Sequence, residues 1–144
     1  MRNKATNPSP TADRFRKTRA AHSDETAEDY VEAVAQLIES SGEARISELA
    51  RVMGVSHVTV TRIIARLRDA GLVLQEPYKP VTLTPAGRRL AKASSERHEV
   101  VLRFLRAIGV PPKQAEIDAE GIEHHVSAQT IKAMRRVLRE KAAD

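Results

Sequence analysis

Gly54-Val55-Ser56 sits between two short amphipathic stretches, and no other feature of this chain restricts its fold as strongly. Ile46, Leu49, Ala50 and Met53 recur at helical spacing before the turn, and Val60, Ile63, Ile64 and Leu67 recur after it. Glycine supplies the permissive backbone of a tight turn, and the Ser56 hydroxyl can cap the first amides of the following helix. The spacing therefore predicts a helix over 46–53, a turn, and a helix over 57–70 that Gly71 ends. Two helices joined by a short glycine-containing turn form a helix-turn-helix. Leu72–Glu76 and Val81–Leu83 then flank Pro77-Tyr78-Lys79-Pro80, which predicts a β-hairpin, or wing, after the second helix.

The flanking segments read as helices too. Tyr30, Val31, Val34, Leu37 and Ile38 make one face of a helix from about Thr26 to Ser40, closed by Gly42. Thr84-Pro85 has the pattern of a cap followed by proline at the first helical position, and opens a long helix over 85–108 that Gly109 stops. Leu90, Val101, Leu102, Leu105 and Ile108 are its apolar positions. Pro111-Pro112 starts another helix running to about Val126, and Ser127 caps a last one to about Lys141. The expected fold is mainly α: a winged helix-turn-helix of three helices plus a hairpin, followed by a helical unit. The expected divisions are a basic disordered arm over 1–22, a winged helix over 23–84 and the helical unit over 85–144.

Composition agrees. Aromatic residues are 3% of the chain, so the core must be built from Leu, Ile, Val and Ala, which suits helices packed on helices. There is no cysteine, which removes disulfides and thiolate metal sites. No run approaches the roughly 18 apolar residues that span a bilayer, and no apolar stretch near the start resembles a signal peptide. A cytosolic protein without membrane attachment is expected.

Charge is unevenly placed. Residues 1–22 hold six Lys or Arg against one acid, Asp13, and residues 45–92 hold nine basic residues against three acids. Acids gather in the flanks, including Glu116, Asp118, Glu120 and Glu123. A basic middle suits the phosphates of nucleic acid, and acidic flanks suit cations. Within the basic region, a recognition helix needs donors near its N-terminus, where residues reach base edges in the major groove. Ser56, His57, Thr59, Thr61 and Arg62 stand there, and Val58 can touch a thymine methyl group. Arg66, one turn on from Arg62, and Lys79 at the wing tip suit phosphates. A solvated basic helix face would carry similar residues; the full order of helix, turn, helix and wing favours DNA.

The acidic flanks contain Glu120-Gly121-Ile122-Glu123-His124-His125. At about 100° per residue, Glu123 lies roughly 60° to one side of Glu120 and His124 roughly 40° to the other. His125 points roughly 140° away and is left outside the set. Asp29 and Glu32 share a helix face at i,i+3 spacing, and His98 lies between Arg97 and Glu99. Four carboxylates and two imidazoles (Asp29, Glu32, His98, Glu120, Glu123 and His124, with Glu99 adjoining) suit manganese or iron(II). That many ligands exceeds a tetrahedral zinc site and leaves room for one high-coordinate ion or two ions. The alternative is that these acids simply cover the solvent side of helices.

These stretches resemble the manganese transport regulators, a short two-domain branch of the diphtheria-toxin-repressor family. Glu28-Asp29-Tyr30-Val31-Glu32, Arg45 to Thr84, Arg97-His98-Glu99 and Ala119 to Ser127 carry the likeness, which covers almost everything after residue 24. The resemblance implies that Asp29, Glu32, His98, Glu120, Glu123 and His124 fall on manganese-ligand positions. Iron-responsive relatives have Met and Cys where Asp29 and Glu120 stand, which favours the harder ion. It also implies a helical dimerisation domain, no SH3-like third domain, and a homodimer that reads a palindromic operator. The expected activity is metal-dependent repression of manganese uptake genes, with up to two manganese ions per subunit. An iron- or zinc-responsive repressor and a metal-independent winged-helix regulator are the alternatives. An enzyme is not expected, since no H-E-x-x-H and no nucleophile beside a base is present. No small organic substrate is expected either.

Overall fold

The computed structural model describes residues 10–144, as six helices and one small sheet: α1 (Pro10–Ser41), α2 (Ile46–Met53), α3 (His57–Asp69), β1 (Val73–Leu74), β2 (Thr82–Leu83), α4 (Pro85–Ala107), α5 (Pro112–Ile122) and α6 (Ala128–Ala143). None of these helices is long and apolar enough to cross a membrane.

The helix-turn-helix forms for the reasons its sequence suggests. Gly54 closes α2 at φ 67, in the left-handed region, and Ser56 Oγ accepts a hydrogen bond from the Thr59 amide at 3.1 Å to cap α3. Val60, Ile64 and Leu67 turn inward from α3 onto Leu49 and Ala50 of α2 and onto Tyr30, Val31, Val34 and Leu37 of α1. The wing is shorter than its β-rich runs suggest. Only Val73↔Leu83 and Leu74↔Thr82 pair, antiparallel. Proline cannot donate to a ladder, so Pro77 and Pro80 leave the tip unpaired, and the Val81 amide bonds instead to the Ala44 carbonyl at 2.7 Å. Tyr78 takes φ 63 at the tip and is fully exposed.

The helix α4 joins two cores. Its start is pinned by Thr84, whose Oγ1 accepts from the Gly87 amide at 3.0 Å and donates to the Gly71 carbonyl at 2.6 Å. Gly87 is required by close approach: an added Cβ would stand 2.0 Å from the Leu72 carbonyl oxygen. Ala91, in the first half of α4, belongs to the winged-helix core. Val100, Val101, Leu102 and Leu105, in its second half, form a separate cluster with Ala115 and Ala119 of α5 and Ile131 of α6. Ile108 is 56% exposed rather than part of that core, because the chain has left the helix before Gly109 turns at φ 100.

Two boundaries differ from expectation. The helix expected from about Thr26 is already present at Pro10, the first described residue, so residues 10–22 are helical rather than a disordered arm; residues 1–9 lie outside the described part. An Asp13–Arg16 ion pair at 3.1 Å and good helix formers carry the helix through a stretch with no apolar face. At the other end, α5 stops at Ile122 instead of about Val126. Glu123, His124 and His125 occupy the turn before α6.

Candidate metal centre

The turn after α5 reaches back to the middle of α1 and across to α4, and most of the candidate ligands meet there. Glu123 still has helical dihedrals, φ −56 and ψ −33, and its amide bonds to Ala119. Its side chain is 1% exposed. One carboxylate oxygen, Oε2, lies 2.5 Å from His98 Nδ1 on α4. The other, Oε1, faces His124 Nε2 at 3.3 Å but has no hydrogen-bond partner.

Two groups of ligand-type side chains result. His98, Glu120 and Glu123 form one, with Glu120 Oε1 3.6 Å from His98 Nδ1. Glu25, Asp29 and His124 form the other, with His124 Nε2 3.0 Å from Asp29 Oδ1. Glu123 touches both imidazoles and so stands between the groups. Leaving the helix at Ile122 is what divides the set: Glu120 stays beside His98 while His124, in the turn, faces α1.

Glu28 holds His124 in place. Its Oε2 lies 2.5 Å from His124 Nδ1 and 2.6 Å from an Arg97 guanidinium nitrogen. With Nδ1 engaged by that carboxylate, Nε2 is left toward Asp29 and Glu123, which is how ligating histidines are commonly oriented. The His124 side chain is 1% exposed, so the orientation is enforced by packing as well.

The electrostatics favour a cation. Burial pushes the Glu123 carboxyl up to about 7 against the pull of His98 and His124, and the Glu120 charge adds to the rise. Asp29 is also raised, by burial first and then by Glu25, Glu32 and Glu120, with His124 opposing. Burial disfavours charged His98 and His124, yet both end raised because Glu123 acts on the first, and Glu28 and Asp29 on the second. Protons thus neutralise part of a site with more carboxylates than cations. The unpartnered Glu123 Oε1 and the oxygen-rich donor set fit a hard divalent ion.

The remaining predicted residues fall variously. Glu32 joins neither group, and its Oε1 is buried without a hydrogen-bond partner. Glu99 is exposed and joins neither group. His125 lies outside both and pairs with Glu25 at 3.2 Å. Glu25, Glu28 and Glu116, the last 3.7 Å from His98 Nε2, were not singled out by sequence reasoning. For Glu28 the only signal was its place in the Glu28–Glu32 stretch.

The nucleic-acid candidates lie on α3 and the wing. His57, Val58, Thr61, Arg62 and Arg66 are exposed, with Val58 at 76%. Ser56 and Thr59 are committed to the cap, their hydroxyls 3.0 Å apart. Lys79 pairs with Glu76 at 2.5 Å at the wing tip.

Comparison with known proteins gives concordant matches. The family description "Iron dependent repressor, N-terminal DNA binding domain" matches residues 23–81, and "Iron dependent repressor, metal binding and dimerisation domain" matches residues 84–144. The transcriptional regulator MntR of Escherichia coli is 46% identical over 121 residues, 84% of this chain and 78% of that protein. The HTH-type transcriptional regulator MntR of Lysinibacillus sphaericus is 40% identical over 104 residues, 72% of this chain and 75% of that one. A solved manganese-dependent transcriptional repressor in complex with manganese matches with a TM-score of 0.70 at 32% identity, covering 78% of this chain and 52% of that chain. The chain therefore spans about half the length of that solved relative.

Proposed function

The chain belongs to the iron-dependent repressor family, and from that premise we propose that it is a manganese-responsive DNA-binding repressor that acts as a homodimer. Its targets on this reading are manganese uptake genes with palindromic operators, and its place of action is the cytoplasm. It is a regulator rather than an enzyme.

The observation that carries the reading is the buried Glu123 carboxylate, in contact with His98 through one oxygen and facing His124 with an unpartnered other. We assign the ligands to Asp29, His98, Glu120, Glu123 and His124, with Glu25 beside them, Glu32 one helical turn from Asp29 and Glu28 orienting His124. A divalent cation held by these residues supplies the positive charge that lets their carboxylates stay ionised in close approach, and the two groups suit up to two such ions.

The helices that carry the ligands explain how this reaches DNA. Asp29 lies on α1, whose Tyr30, Val31 and Val34 pack in the winged-helix core with Val60 and Ile64 of α3. Glu123 and His124 end α5, which packs with α4 in the other core. Drawing Asp29 toward Glu123 and His124 thus orients the reading head on the dimerisation unit. Repulsion among Glu25, Asp29, Glu120 and Glu123 opposes that when charge is uncompensated. We take the head as 23–84 and the dimerisation unit as 85–144, a division supported by the two clusters meeting on α4. In a two-fold dimer, the separation of the two heads must match the groove spacing of the operator. His57, Val58, Thr61 and Arg62 then face base edges, Ser56 and Thr59 secure the helix end, and Arg66 and Lys79 suit phosphates. Metal and DNA binding are linked, so each raises affinity for the other by the same factor.

Both groups are built from carboxylates and imidazoles and the chain has no cysteine, which favours manganese, with iron(II) the next best fit. The test is binding to the promoter of a manganese importer, titrated with manganese, iron(II) and zinc at fixed salt. Binding that requires manganese and is lost in Glu123→Ala supports the reading. Equal binding with and without chelator, or an unchanged Glu123→Ala response, overturns it.

A further inference from the structure

We propose that the N-terminal part of α1 is a second DNA-contacting surface, which grips the phosphate backbone beside the half-site read by α3. This inference rests on the DNA-binding reading above and adds a part of the molecule that the family descriptions do not cover, since they begin at residue 23.

Three observations carry it. First, α1 overshoots its own core. Its first core contacts are Ala27 and Tyr30, whereas residues 13–19 are all exposed. From Arg19 back to Pro10 the helix projects about 14 Å at 1.5 Å per residue. That length covers about four base pairs of duplex.

Second, the projecting segment leaves from the edge of the recognition helix. Arg19, His22 and Thr26, at successive turns, line one wall of a cleft of about 650 Å³. Arg62 and Arg66 of α3 line the other wall. Asp24 and Glu28 also border the cleft, but Glu28 is tied to Arg97 and His124. Arg62 and Arg66 of α3 and Arg19 and His22 of α1 therefore border one cleft, with Asp24 at its edge.

Third, the charge is strongly of one sign. Arg14, Arg16, Lys17 and Arg19 face a single acid, Asp13, between residues 10 and 22. Only Arg16 is paired, with Asp13 at 3.1 Å. Among the described residues, Arg14, Lys17, Arg19, Arg62 and Arg66 have no ion-pair partner. Like charges one turn apart, as at Arg14 and Lys17 and at Arg16 and Arg19, repel. A row of phosphates relieves that repulsion. A membrane surface fits less well, because it needs a continuous apolar stripe, and among the described residues of this segment Phe15 is the one large exposed apolar side chain.

The experiment uses the full-length protein with saturating manganese, on an operator duplex with flanking sequence and on a random duplex of equal length. Dissociation constants are measured across a salt series for the wild type and for Arg14→Gln/Lys17→Gln/Arg19→Gln. Each lost phosphate contact lowers the slope of log affinity against log salt by about 0.9, so the triple variant should lose up to about 2.7 per protomer. The loss should be similar on both duplexes, while manganese affinity by calorimetry and helix content by circular dichroism stay at wild-type values. A variant slope equal to that of a wild type that binds the operator overturns this inference alone. A wild type that fails to bind with manganese overturns the functional reading and this inference with it.

Discussion

Glu123→Gln should make the metal-free protein more stable, increasingly so as pH rises, while removing its stabilisation by manganese. Glutamine has nearly the same shape as a protonated glutamate, so packing at this buried position is kept. In the wild type the carboxyl is raised from 4.5 to about 7, chiefly by burial. The folded state therefore holds that proton more tightly than the unfolded chain. Stability is undiminished below about pH 4.5, falls as pH rises toward 7, and stays reduced above it. At 1.36 kcal/mol per unit, the ceiling of this penalty is roughly 3 kcal/mol. His98 and His124 are raised as well, so their contribution is also lost as pH rises, and the trends add. With about 2 kcal/mol at pH 8, and about 2–4 °C per kcal/mol for a chain near this size, Glu123→Gln should melt about 4–8 °C higher. Thermal melts in chelator at pH 5, 6, 7 and 8, repeated with excess manganese, measure this. A difference between variant and wild type that does not grow with pH, or a variant less stable at pH 8, would refute the reasoning.

Two other contacts give further expected outcomes. Glu28→Gln should weaken manganese binding about 10–100-fold by calorimetry, because His124 loses the carboxylate that fixes its ring; nitrogen NMR of His124 should show a changed balance of tautomers, and unchanged affinity would remove Glu28 from the site. Gly87→Ala places a Cβ 2.0 Å from the Leu72 carbonyl oxygen, where backbone must shift. It should cost about 3 kcal/mol or more, read as a melting temperature lowered by roughly 6 °C or more; a wild-type melt would show that the start of α4 gives way freely.

The helix-turn-helix was readable because its signals are local. Gly54 must take positive φ, Ser56 must cap the start of α3, and both effects act within four residues. The prolines of the wing were readable as a tip, but not the shortness of the ladder, which depends on Val81 bonding to Ala44 rather than along the hairpin. The start of α1 was missed because apolar periodicity reports packing. Residues 13–19 are exposed, and they are helical because extending a helix already nucleated by Tyr30–Leu37 is far easier than starting one.

At the candidate site the sequence by itself determined the chemistry: carboxylates and imidazoles at one-turn spacings, and no sulfur from cysteine. It also placed Asp29, His98, Glu120, Glu123 and His124 among the candidates, and the structure gathers those five around the end of α5. Only the tertiary structure decided how they divide. Helix α5 ends at Ile122, so His124 turns toward Glu28 and Asp29, 96 and 95 positions earlier in the chain, while Glu120 remains with His98. A helical wheel knows directions around one axis. It has no information about which other helix lies in each direction, and that choice is fixed by two apolar cores meeting on α4.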